Sequence, residues 1–109
     1  MAKQDALQGA LDLMVLKLLL KRPRLHGYAI MKAIEESSRG VLQVEEGSLY
    51  PALRRMEDEG WLRAEWVSRE GGRRARVYEI TAAGKKQLAA EENRWQVSTS
   101  AVNRVLRMA

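Results

Sequence analysis

Residues 61–81 read WLRAEWVSREGGRRARVYEIT, and the fold turns on them. Upstream, apolar residues recur with a helical period; here they alternate, and two glycines divide the alternating runs. Period-two patterning on both sides of a glycine break predicts a β-hairpin. A loop of Gly71 to Arg73 would pair Trp66 with Tyr78 and Ala64 with Ile80, and keep Leu62 on the same apolar face. A Gly-Gly turn would instead oppose Trp66 to Val77 and mix the faces. The three-residue loop gathers the apolar side chains better, although it sets Glu65 against Glu79.

Working outward, residues 47–55, GSLYPALRR, open a helix expected to start near Ser48 and to stop at Gly60. Pro51 would then lie in the first turn, where a missing N–H costs little. Leu49, Ala52, Leu53 and Met56 share one side; Tyr50 and Arg54 share an exposed flank, with Arg55 on the other. Two earlier helices are expected. Leu7 to Lys21 places Leu11, Met14, Val15, Leu18 and Leu19 at helical spacing and ends before Pro23. Gly27 to about Ser37 turns Ala29, Ile30, Ala33 and Ile34 inward.

Downstream, Thr81 caps a last helix that runs nearly to the end. At about 26 residues it would be roughly 40 Å long. Leu88, Trp95, Val102, Val105 and Leu106 form a narrow stripe along it, and a lone helix of this kind is marginal in water. A second copy of the chain would cover the stripe, as would the chain's own first helix. Helix propensity dips at Ser98 to Ser100. The expectation is a mainly α (α+β) fold, a winged helix-turn-helix with a long C-terminal dimerisation helix. Residues 1–80 would form the winged DNA-binding domain and 81–109 the dimerisation helix, as one continuous unit.

Composition narrows the function. The chain has 109 residues, a net charge of +5, a pI near 9.9 and no cysteine. Disulfides, thiolate metal sites and cysteine nucleophiles are therefore excluded. The longest apolar run, LDLMVLKLLL, is too short to span a bilayer, and no signal-peptide pattern precedes it, so a cytoplasmic protein is expected. His26 is the single histidine and stands where it would serve turn geometry or capping. No metal-ligand cluster, phosphate-binding loop or nucleophilic triad is visible. Neither enzymatic activity nor a cofactor is expected.

The basic charge has a pattern. On the third helix Arg54 and Arg55 precede Glu57, Asp58 and Glu59, so the first half is positive and the second negative. A helix entering the major groove by its N-terminal end wants that order. Arg69, Arg73, Arg74 and Arg76 then crowd within eight residues at the hairpin tip. Solvated arginines paired with Glu57 to Glu59 are the competing reading, and Glu45 and Glu46 would repel phosphates. Polarised helix and basic ribbon together favour double-stranded DNA. Tyr50 and Arg54 would read or position in the major groove, Arg73 and Arg74 would hold the backbone, and Tyr28 and Lys32 would support through phosphates. A winged protein-interaction module and a small aromatic-ligand sensor are the alternatives.

These segments carry a family resemblance. LDLMVLKLL, HGYAIMKAIEE, GSLYPALRRMEDEGWL, GGRRARVYEITAAGKKQL and NRWQVSTSAVNRVL make the chain resemble a small PadR-type transcriptional regulator along almost its whole length. The resemblance implies a homodimeric repressor on an inverted-repeat operator. It implies DNA contacts at Ser48, Tyr50, Pro51, Arg54, Arg73 and Arg74, and a dimer interface at Leu88, Trp95, Val102 and Leu106. By the same resemblance a small aromatic effector would meet Trp95, with Met14, Val15 and Leu18 as walls.

Overall fold

The computed structural model describes residues 2–108, with side chains for 9–108. Met1 and Ala109, the outer bounds expected for the two parts, lie outside the described residues. The elements are α1 (Ala2–Lys21), β1 (Leu25–His26), α2 (Gly27–Ser37), α3 (Glu46–Asp58), β2 (Leu62–Ser68), β3 (Arg74–Ile80) and α4 (Ala82–Met108). α1, α2 and α3 enclose a core that the β2–β3 hairpin closes from one side. This is a winged helix-turn-helix with a long C-terminal helix, as the change of period predicts.

Val15, Leu16 and Leu19 of α1 meet Ile30 and Ile34 of α2, and Leu49, Leu53 and Met56 of α3; Leu62, Tyr78 and Leu88 complete the cluster. Each large apolar side chain removed from water here stabilises the fold by about 1.5–3 kcal/mol. α1 ends where Pro23 forbids continuation; the last helical bond runs from the Arg22 N–H to the Leu18 carbonyl. The chain emerges extended, and Leu25 and His26 pair with Tyr78 and Val77 as a third strand that the sequence reading lacks. The sheet order is β1-β3-β2. Two residues give no periodicity to read, so β1 was beyond the reach of pattern analysis.

The hairpin register departs from expectation. Ala64 faces Tyr78 and Trp66 faces Arg76, two residues away from the pairing that sets Trp66 against Tyr78. A slip of two keeps every side chain on its face, so the apolar side is preserved. What changes is charge: Glu79 now opposes Arg63, whose guanidinium donates to it at 2.7 Å, and the Glu65–Glu79 clash disappears. Arg63 holds the Glu79 carboxyl below its usual range. The loop lengthens to residues 69–73, with Gly71 and Gly72 both at φ near +80°. Side chains rarely adopt that conformation, so the pair of glycines is a requirement of this turn.

Two further boundaries move. α1 begins at Ala2 rather than Leu7. α3 begins at Glu46, with Glu45 as its N-cap, so Pro51 sits in the second turn and has no N–H to offer the Gly47 carbonyl. α4 passes Ser98 to Ser100 without a break. Its base is fixed by Thr81, whose hydroxyl accepts from the Gly84 N–H at 3.0 Å and donates to the Gly60 carbonyl at 2.6 Å. Gly84 lies so close to the Trp61 carbonyl that a Cβ would come within 2.2 Å of it. Leu88 is buried in the core of its own chain, not displayed on the outer stripe where the sequence reading put it. Beyond it α4 stays tied to α1, Lys17 donating to Glu92 at 2.8 Å, and its outer residues are exposed; the molecule measures 58 × 29 × 26 Å.

Candidate nucleic-acid interface

His26 starts the interface by starting α2. Its extended backbone ends β1, and its Nδ1 accepts from the Ala29 N–H at 3.2 Å. That capping bond assigns the ring a local structural task. Gly27 follows because Tyr50 needs the room: a Cβ on Gly27 would lie 2.5 Å from the Tyr50 hydroxyl oxygen. The phenol of α3 thus rests on the backbone of α2's first turn, with 41 % of Tyr50 still exposed. Tyr28 projects beside it at 60 % exposure.

The two arginines of GSLYPALRR part company. Arg55 turns towards α1 and donates to Asp12 at 2.6 Å. Asp12 is buried, and burial raises its carboxyl pKa above the usual value despite the Arg55 hydrogen bond that pulls the other way. Arg55 is therefore a tie between α3 and α1. Arg54 points outward, its only ion pair among the described residues an exposed contact of 3.5 Å with Asp58 one turn on. Such a pair is worth little and releases easily.

The wing faces this flank. Tyr50, Arg54, Glu57 and Asp58 line a cleft of about 540 Å³ with Trp66, Arg76 and Tyr78. Arg76 crosses it to donate to Glu57 at 2.7 Å, fastening β3 to α3. A neighbouring hollow brings Tyr28 and Tyr50 together with Trp66, Arg69 and Arg74. Arg69, Arg73 and Arg74 have no carboxylate partner among the described residues. Of the residues expected to touch DNA, the fold therefore gathers Tyr28, Tyr50, Arg54 and Arg74 on one face, with Arg73 at the tip. Lys32 is exposed one turn after Tyr28, 3.8 Å from Glu35. Ser48 stands elsewhere, and Pro51 is exposed on the second turn of α3.

Trp66 was not expected here, and Arg76, expected among the basic residues of the ribbon, turns to Glu57 and the Trp66 ring. The pattern counted Trp66 among the apolar face of the hairpin, yet it is 53 % exposed, with Arg74 and Arg76 5.1 and 5.3 Å from its ring centre. An aromatic three residues before the turn with arginines one and three residues beyond it was the available signal.

Ser48 belongs to a second concavity. It lines a groove of about 670 Å³ with Leu11 and Met14 of α1, Leu42 and Val44 of the α2–α3 loop, and Trp95 of α4. Of the residues expected at an effector site, Met14 and Trp95 line this one groove. Val15 does not: it is wholly buried among core residues, because its position on α1 faces α2 and α3. Leu18 packs against the core and is also absent from the groove lining. Trp95, Val102 and Leu106 are exposed along α4. Among the described residues no cluster of His, Asp and Glu could hold a metal ion, and no helix is long and apolar enough to cross a membrane.

Fold and site define a winged helix-turn-helix protein with a basic wing. Residues 15–90 match the transcriptional regulator PadR-like family, and the chain belongs to it. A transcriptional regulator from Thermoplasma acidophilum is similar in structure at a TM-score of 0.83 and 33 % identity, over 94 % of this chain and 96 % of that one. One from Clostridium thermocellum gives 0.83 and 27 %, over 92 % and 96 %. PadR of Bacillus subtilis in complex with operator DNA gives 0.66 and 25 %, over 73 % of this chain and 45 % of that one. An uncharacterised protein of Lysinibacillus sphaericus is 30 % identical over 95 residues, 87 % of this chain and 86 % of its own length.

Proposed function

We propose that the protein is a cytoplasmic homodimer that binds operator DNA and represses transcription by occupying it. The observation that carries this reading is the convergence of Tyr28, Tyr50 and Arg54 on one face with Arg74, which has no carboxylate partner among the described residues. Tyr50 and Arg54 enter the major groove; Arg73 and Arg74 hold the adjoining backbone; Tyr28 and Lys32 add phosphate contacts. Trp95, Val102 and Leu106 form the dimer seam. A planar aromatic effector in the groove of Met14 and Trp95 would press on Ser48, near the start of α3, and shift the heads. The operator complex of Bacillus subtilis PadR supports the DNA partner.

Selection from random duplex DNA tests the reading. An inverted repeat should emerge, with half-sites about 10 base pairs apart or a multiple of that. Failure to retain any duplex at low ionic strength overturns it. Arg74→Ala should weaken every sequence alike and flatten the salt slope by about one unit. Arg54→Ala should change the preference between sequences instead.

A further inference from the structure

Trp66 holds a place on the wing that the proposed contacts do not use. It stands directly opposite Arg76 across the hairpin, and Arg74 lies two residues along on the same face. Both guanidinium carbons sit above its ring, at 5.1 Å for Arg74 and 5.3 Å for Arg76. The two arginines differ in what else they touch. Arg76 is held on its far side by Glu57 of α3. Arg74 has no carboxylate partner among the described residues, so the indole is what orients it.

The distinction between the two kinds of support matters. A carboxylate would order Arg74 but cancel the charge that a phosphate must meet. An indole face orders the guanidinium through its quadrupole and adds no negative charge, leaving the N–H edge free. An arginine already ordered loses less side-chain entropy when it docks. The surroundings fit the same purpose: Trp66 and Arg74 line one hollow with Tyr28 and Tyr50, both of them exposed.

Resting on the DNA reading above, we infer that Trp66 is a positioning residue. It presets the Arg74 guanidinium for a backbone phosphate of the duplex, while the Trp66–Arg76–Glu57 stack fixes the wing's angle to α3.

Three variants separate this from mere packing: Trp66→Phe keeps a π face, Trp66→Leu keeps only apolar bulk, and Arg74→Ala removes the docked group. In the free protein, the Arg74 and Arg76 side-chain protons should show upfield ring-current shifts by NMR, lost in Trp66→Leu. In binding to the selected duplex, Trp66→Leu should cost about two- to fivefold in affinity, with Trp66→Phe recovering most of it. In an Arg74→Ala background, Trp66→Leu should cost clearly less than in the wild type. A Trp66→Leu variant that binds like the wild type, or losses that simply add, overturns the role of Trp66 and leaves the DNA reading standing. A wild-type chain that binds no duplex overturns both, whereas ring-current shifts without duplex binding would identify the stack as structural only and likewise remove the positioning role.

Discussion

Gly27 and Tyr50 are coupled by a missing atom. With no Cβ on Gly27, the Tyr50 ring can lie against α2 and aim its hydroxyl at the interface. Gly27→Ala should leave the fold nearly intact, because the obstructing atoms are the far end of a side chain that can swing away. Its melting temperature should fall by only a few degrees, while operator affinity drops about tenfold, roughly 1.4 kcal/mol. Equal binding by the variant would take Tyr50 out of the contact set. Asp12 and Arg55 carry the opposite lesson, in which the chemistry is buried. Arg55→Ala leaves a carboxylate in the core without this donor and should destabilise the protein by about 3 kcal/mol, the low end for breaking a buried pair because Arg55 is partly exposed. The sign of the pH effect follows from the raised pKa of Asp12. The folded state holds that proton more tightly than the unfolded one, so stability falls as pH rises from the ordinary aspartate pKa through the folded value. Removing Arg55 takes away both influences that lower this pKa, so the fall should deepen. Urea titrations at pH 4 and pH 7 should show a larger deficit for Arg55→Ala at pH 7.

Among the elements, α4 is set by its first turn. Gly84 lets the helix approach the Trp61 carbonyl, and backbone cannot step aside as a side chain can. Gly84→Ala should therefore cost about 1–3 kcal/mol, visible as a lower denaturant midpoint, despite alanine's better helix propensity. A neutral outcome would mean that the α4–wing junction is looser than its geometry. The same elements divide into what periodicity could and could not disclose. α2 was readable to the residue because Ile30, Ala33 and Ile34 repeat cleanly and His26 and Gly27 mark its start. The existence of the hairpin was readable from alternation, but its register was not, since a slip of two residues preserves the pattern and only the Arg63–Glu79 pairing tells the registers apart. The start of α3 was misjudged because Pro51 was given its commonest helical position, the first turn. The outward aim of Tyr50 and Arg54 followed from the helical wheel; Arg55's tie to Asp12, Ser48's place beside Trp95 and Trp66's stack needed tertiary structure.

For the whole molecule, the exposed apolar side chains of α4 set the expectation of assembly. Trp95, Val97, Val102, Val105 and Leu106 are each at least half exposed along α4. Val102→Glu should give monomers in sedimentation velocity with an unchanged circular dichroism spectrum for the wing and core. Operator affinity should fall by at least about a hundredfold, since one head makes half the contacts. A dimer that survives the change would move the seam away from the outer half of α4. The joint at Thr81 gives such an arrangement a mechanical property. One hydroxyl touches the end of the α3 turn through Gly60 and the start of α4 through Gly84, so α4 and α3 turn together. A shaft about 40 Å long that tilts by about 5° sweeps its tip through about 3.5 Å, which is one base-pair step of a duplex. Gearing of that ratio would turn a tilt that moves Leu88, near the base, by under about 1 Å into a tip displacement large enough to spoil alignment with a neighbouring half-site.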